Sequence, residues 1–274
     1  MKLSASAWSI EEKLFNKDMS IFDFIKLCNK NGLKYVELLD CFWNDAGDID
    51  QVLSLLKQLN MEVAAYSIGN DFVQESLVGR QDQIVEIKKG IDTACKLKTG
   101  LLRVFSGEPK DGISFDTAKV WIIDGLRQAA AYAEEMGITM VLENHGLFAG
   151  KSCQVKDLIN QVGSANLRAN TDVGNFMLVN ENPLEAVKAL KDYIGFVHFK
   201  DFKEVTQNDK GYTAIDGRKY QGTIFGRGEV PMEEIVNFLY KNGYDGFLSV
   251  EYEGIGDQVS GMLESIEFTK SIIK

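Results

Sequence analysis

The feature that most constrains this chain is a regular alternation: eight short apolar runs of strand length, each followed by a stretch with helical spacing. Strand patterns read at Lys2–Ala7, Tyr35–Leu39, Glu62–Ile68, Leu101–Phe105, Thr139–His145, Leu167–Asn175, Gly195–Asp201 and Phe247–Glu253. Helices are predicted at Ser20–Lys30, Ile49–Leu59, Arg80–Leu97, Phe115–Met136, Val155–Val162, Pro183–Asp192, Met232–Lys241 and Gln258–Ile273. The second of these spaces Val52, Leu55, Leu56 and Leu59 along one helical face. Ser20 is a predicted N-cap, Asn31-Gly32 and Asn242-Gly243 are stop signals, and Pro183 suits a first helical turn.

Strands joined by helical crossovers run parallel, and eight such units close into a single (β/α)8 barrel, a fold of about 250 residues. The 274 residues contain no Pro- or Ser-rich linker and no compositional break, so one domain spanning 1–274 is expected. A doubly wound open sheet is the alternative, but no G-x-G-x-x-G follows the first strand to support a dinucleotide site. Residues 202–229 are polar, Gly-rich and aperiodic, and are expected to form a long functional loop after strand seven.

With 45% hydrophobic residues the chain can bury a large core. Its net charge of −10, from 30 basic and 40 acidic residues, argues against a nucleic-acid partner. No run approaches the ~20 apolar residues of a membrane helix, and the N-terminus lacks the apolar centre of a secretion signal. A soluble, cytoplasmic protein is therefore expected, free to form a homo-oligomer. Cys28, Cys41, Cys95 and Cys153 form no C-x-x-C pair and are expected to be reduced structural thiols.

Four consecutive strand patterns end in metal-type side chains: Glu143, Asp172, His198 and Glu251. In a barrel these ends converge on one mouth. Strand alternation puts Glu143 and His145 on one face and Asn144 on the other. Any one carboxylate there could merely cap the next helix or pair with a Lys or Arg. Jointly they favour a metal site, because both histidines of the chain fall at strand ends beside three suitably phased acids. Three carboxylates and one imidazole suit Mn²⁺, Mg²⁺ or Co²⁺, and admit Zn²⁺ or Fe²⁺.

The segments Val-Leu-Glu-Asn-His (141–145), Thr-Asp-Val-Gly-Asn (171–175), Val-His-Phe-Lys-Asp (197–201), Gly-Arg-Gly-Glu-Val (226–230) and Ser-Val-Glu-Tyr-Glu (249–253) resemble the xylose isomerase-like TIM-barrel superfamily. That group includes sugar and sugar phosphate isomerases and epimerases, inosose and dehydroshikimate dehydratases, and endonuclease IV. The resemblance implies that Glu143, Asp172, His198 and Glu251 hold one divalent cation, and that Glu143 and Glu251 exchange protons on opposite faces of a sugar. Epimerases of the group often carry histidine where this chain has Asn175. The multi-histidine zinc cluster of endonuclease IV cannot be built from His145 and His198 alone.

Expected substrate contacts are His145, Lys200, Asn175, Trp8 and Arg227. Lys200 either donates to an oxyanion, phosphate or carboxylate, or forms a salt bridge with a ligand acid. Glu253 is expected to orient a ligand or Lys200. Trp8, Phe42 and Trp43 form a candidate apolar wall, and Arg218, Lys219 and Arg227 either fold over an anionic substrate or lie in solvent. Glu37 and Arg103 are expected to pair inside the barrel.

The function expected is a divalent-metal-dependent isomerase or epimerase of a small sugar, keto-sugar or polyol derivative, through an enediolate. A metal-dependent dehydratase is the alternative, and a non-catalytic sugar-binding barrel the second. The expected partner is a small carbohydrate, with neither nucleic acid nor membrane.

Overall fold

The computed structural model describes residues 1–42 and 46–273, which leaves Trp43 of the proposed apolar wall outside the described residues. The barrel strands are β1 (Lys2–Ser6), β2 (Tyr35–Leu39), β3 (Glu62–Ser67), β4 (Leu101–Val104), β5 (Thr139–Glu143), β6 (Leu167–Asp172), β7 (Ile194–Phe199) and β11 (Phe247–Val250). They close in the order β1-β11-β7-β6-β5-β4-β3-β2. Every neighbouring pair is parallel, including the closing pair β1–β11, where Ala5 lies opposite Val250. This is the expected (β/α)8 barrel.

The helices are α1 (Glu11–Phe15), α2 (Ile21–Lys30), α3 (Ala46–Leu59), α4 (Leu77–Leu97), α5 (Phe115–Met136), α6 (Ser152–Val162), α7 (Asn175–Leu178), α8 (Pro183–Leu190), α9 (Met232–Lys241) and α10 (Gln258–Ile272). Local signals fix their starts. Ser20 and Asp23 form a reciprocal capping box on α2, and Asn182 caps α8 with Pro183 in its first turn. Gly137 closes α5 with φ +70°, which a residue without Cβ adopts freely.

Two short helices, α1 and α7, were not expected. Asn175 opens α7 rather than ending strand six, and β11 stops one residue before Glu251. The loop after β7 is long as expected, yet it is ordered into a three-stranded antiparallel sheet, β8 (Phe202–Val205), β9 (Tyr212–Thr213) and β10 (Lys219–Gly222), in the order β8-β10-β9. These strands span two to four residues and are mostly polar, so they carry no hydrophobic period.

Apolar residues fill the space between barrel and helices, from Phe24 and Ile25 on α2 to Met262 and Ile266 on α10. Inside the barrel a small apolar plug of Ala64, Ala65, Val141 and Phe196 packs against Tyr35, Leu101 and Phe247. Glu37, Ser67, Arg103, Glu143, Asn170, His198 and Ser249 are also buried, and form a polar interior around the site. No described helix is long and apolar enough to cross a membrane.

Candidate functional site

Glu143 and Asp172 end β5 and β6, His198 is the penultimate residue of β7, and Glu251 directly follows β11. Each offers one ligand atom, and the four atoms lie within 4.8 Å of one another. All four residues are buried. Parallel pairing sets the level: Asp172 lies opposite His198, and His198 opposite Ser249 two residues before Glu251.

The surroundings leave particular atoms facing the shared space. Asp172 Oδ1 accepts the backbone N–H groups of Gly174 and Asn175 at 2.9 and 3.0 Å. Asp172 Oδ2 makes no hydrogen bond, although Lys200 Nζ is 3.0 Å away. His198 Nε2 is 2.9 Å from Glu37 Oε1, and His198 Nδ1 has no hydrogen-bond partner. Glu143 Oε2 and Glu251 Oε2 each lie 3.4 Å from that nitrogen. A buried imidazole with a carboxylate behind one nitrogen and only acidic oxygens before the other is the arrangement expected of a metal-ligating histidine. The two orphaned atoms and the oxygen-rich set fit one divalent cation.

The electrostatics agree. Burial alone would raise the Glu143 carboxyl, but His198 and Arg103 hold it at about 2. Burial works against Glu251 in the same way, and His198 and Lys200 hold it well below the carboxylate range. Burial pushes Asp172 up to about 6 against the pull of Lys200. Burial would likewise strip the proton from His198, yet Glu251, Glu37 and Glu143 raise it well above the usual imidazole range. Without an ion, the carboxylates thus keep a proton on His198 that a cation would have to displace.

Glu37 is not the partner of Arg103. Its carboxylate accepts Ser67 Oγ at 2.6 Å and Ser249 Oγ at 2.7 Å besides facing His198. Arg103 instead points Nε at Glu143 Oε2, 3.3 Å away, donates Nη1 to Ile68 O at 2.9 Å, and lies 4.0 Å over the Phe105 ring. The charge at Glu37 was visible in the sequence; its partners come from β3, β7 and β11, which only barrel closure brings together. Asn144 points away from Glu143 as alternation requires. It staples β5 to β6 through both the N–H and the C=O of Asp172, at 2.7 and 2.9 Å.

The site opens into a cavity of about 660 Å³ that Trp8, His145, Asn175 and Lys200 line together with Glu143 and Glu251. Asn175 Nδ2 approaches Glu143 Oε1 at 3.4 Å and donates to Asn144 O at 3.1 Å. Lys200 Nζ forms salt bridges to Asp172, Glu251 and Glu253 at 2.9 to 3.0 Å, the structural of its two expected roles. Its stem passes 3.0 Å from where a Cβ on Gly174 would stand, so a glycine follows Val173. Glu253 also accepts Trp8 Nε1 at 3.0 Å, tying the segments that follow β1 and β7 together. His145 is half-exposed at the rim, with Nδ1 2.8 Å from Glu108 Oε1 and its ring against Phe105. Burial opposes its proton, but Glu108 and Glu143 raise its pKa. Glu108, Phe15 and Tyr212, all from connecting segments, were missed because nothing in their local sequence reports which way a loop turns.

Arg227 is a correction. It is 62% exposed, pairs with Glu264 on α10 at 2.6 Å, and does not line the cavity. Its neighbours explain why: the N–H groups of Gly226, Gly228 and Val230 all point at the Asp201 carboxylate, which turns the intervening side chain outward. Arg218 is likewise turned away, pairing with Asp216. Lys219 donates to Gln207 O. Phe42 joins Trp8 and Phe15 in an aromatic cluster with centroids 5.1 to 6.3 Å apart.

Residues 25–272 match the family model described as xylose isomerase-like TIM barrel. An inosose dehydratase of Clostridium perfringens is 28% identical over 137 residues, 48% of this chain and 46% of that protein, so the match spans about half the length of that curated relative. A fructoselysine 3-epimerase of Shigella flexneri is 22% identical over 217 residues, 75% of this chain and 73% of that protein. The structure of D-psicose 3-epimerase with D-tagatose from Clostridium cellulolyticum H10 is similar with a TM-score of 0.79 at 17% identity, covering 100% of both chains, a likeness of fold. By the extent of the family match and the closed eight-stranded barrel, the chain belongs to the xylose isomerase-like TIM barrel family.

Proposed function

We propose that the chain is a divalent-metal-dependent isomerase or epimerase of a small polyhydroxy carbonyl compound, exchanging a proton at the carbon next to the carbonyl. The observation that carries this reading is the convergence of four buried ligand atoms within 4.8 Å at the floor of a cavity. Glu143, Asp172, His198 and Glu251 would hold the ion, with Mn²⁺, Mg²⁺ or Co²⁺ favoured by the donor set. Bound there, a divalent ion supplies electrophilic stabilisation of the negative charge that develops on a carbonyl oxygen. Glu143 and Glu251 are ionised, the form that accepts a proton. Around the barrel, β6 and β7 separate β5 from β11, so the two carboxylates approach from different sides. One takes the proton and the other returns one to the opposite face, which inverts the carbon. Lys200, kept protonated by Asp172, Glu251 and Glu253 against the cost of its burial, adds a fixed positive charge beside them.

A dehydratase is the second reading, favoured by the inosose dehydratase relative. It uses the same base but loses hydroxide from the neighbouring carbon. Incubation of a panel of ketoses and inososes with metal-loaded protein in D₂O separates the two. An epimerase incorporates one deuterium next to the carbonyl with no loss of water, whereas a dehydratase gives a product lighter by water. Glu143→Gln and Glu251→Gln, folded and metal-loaded, are expected to lose activity by at least about 100-fold, as removal of a proton-transfer group does. Full activity in both variants refutes the assignment.

A further inference from the structure

Beyond the cluster itself, the cavity is unusual in what it offers a substrate. Three basic side chains line it, Arg103, His145 and Lys200, and each faces carboxylates: Arg103 faces Glu143, His145 faces Glu108, and Lys200 faces three acids. Among the described residues lining the cavity, each basic side chain thus already has a carboxylate partner. The uncommitted character of the walls is apolar. On one side Phe15 packs edge-on against Trp8 at 6.2 Å and against Phe42 at 5.1 Å, yet stays 53% exposed. Across the opening, Leu147 is 50% exposed. Phe15, Leu147 and Leu178 all face the same cavity, and the β8-β10-β9 excursion carries Tyr212 to its edge. At about 660 Å³ the space falls in the range of about 300–1,000 Å³ that holds ligands well beyond a bare monosaccharide.

Resting on the reading of the floor as a metal and proton-transfer site, we infer that the substrate is an uncharged conjugate: a polyhydroxy carbonyl unit at the metal end, bearing an apolar, preferably aromatic, substituent that lies between Phe15 and Leu147. A sugar alone would leave these side chains in water, and a sugar phosphate would bring its charge to walls that also carry Asp40 and Glu253. Apolar contact supplies the affinity that a charged anchor supplies elsewhere, since enclosing an aromatic group removes a large apolar area from water.

The test compares three ketoses that share their carbonyl end and differ only at the far end: 6-O-benzyl-D-fructose, 6-O-methyl-D-fructose and fructose 6-phosphate. Each is titrated calorimetrically into Mn²⁺-loaded protein. The benzyl ether is expected to bind at least about ten-fold tighter than the methyl ether, the gain from burying one phenyl group, and the phosphate no tighter than the methyl ether. Phe15→Ala and Leu147→Ala, both at half-exposed positions, are each expected to cut the ratio of benzyl-ether to methyl-ether affinity several-fold. Equal binding of the two ethers overturns the inference, as would follow if a second copy of the chain covered Phe15 and Leu147. So do tighter binding of the phosphate, a preference that survives both substitutions, or no binding of any of the three. A protein that takes up no Mn²⁺ removes the underlying reading as well; Mn²⁺-loaded protein without the preference removes this inference alone.

Discussion

Glu37 shows how the centre depends on a residue that no ligand would touch. Its carboxylate holds Nε2 of His198 and is itself pinned by Ser67 and Ser249, which leaves Nδ1 turned toward Glu143 and Glu251. Such groups behind a ligating histidine typically contribute 10–100-fold in metal affinity. Glu37→Gln is therefore expected to weaken Mn²⁺ binding by roughly 10–100-fold, read by calorimetry, with the fold unchanged. An unaltered affinity would show that His198 is oriented by packing alone. The same residues set a pH dependence. Glu143 and Glu251 are already ionised, but a cation must displace the proton that the carboxylates hold on His198 and, below about pH 6, the one on Asp172. Because protons compete for the ligands, apparent Mn²⁺ affinity rises with pH. The rise is steepest below about pH 6 and continues above the usual imidazole range while His198 loses its proton. Affinity that is flat or falls between pH 5 and 8 would contradict this account.

Among the elements, the turn that follows the β8-β10-β9 sheet depends on Asp201, whose carboxylate gathers the N–H groups of Gly226, Gly228 and Val230 at 2.9 to 3.2 Å. A Cβ on Gly228 would fall 2.2 Å from Asp201 Oδ1, which explains the glycine. Asp201→Ala strands three backbone donors, of which that of Val230 is buried, and is expected to cost about 2 kcal/mol in urea denaturation while leaving Mn²⁺ binding in place. A cost below about 0.5 kcal/mol, typical of a neutral surface change, would show that the turn holds without it. The strand cores were legible because parallel strands buried on both faces read as apolar runs. Their ends were not: Glu251 keeps the face alternation of β11 but lies one residue beyond it, and Asn175, three residues past Asp172, reaches the site only because it opens α7. The excursion was opaque for another reason, since Tyr212 and Thr213 on β9 are both exposed and so print no alternation. Arg227 shows the same limit at a turn, where the direction of a side chain is set by backbone bonds to a distant carboxylate.

For the molecule as a whole, closure of β1 on β11 means that the first and last strands share a ladder, and that the ligands on β5 to β11 are held by a ring with no free edge. Convergence of four strand ends was legible from alternation and order alone, because a barrel leaves one mouth for them to meet at. Pairing across the interior was not, as the exchange of partners between Glu37 and Arg103 shows. One closed ring around one core is expected to unfold in a single cooperative transition, and two separated calorimetric transitions would argue for two domains. The central claim is that Glu143, Asp172, His198 and Glu251 together hold one divalent ion. It is tested most directly by Mn²⁺ titration followed by electron paramagnetic resonance, on the native protein and on Asp172→Ala. The account predicts one Mn²⁺ per chain for the native protein and loss of that site in the variant; no bound Mn²⁺ in the native protein, or undiminished binding in Asp172→Ala, would contradict it.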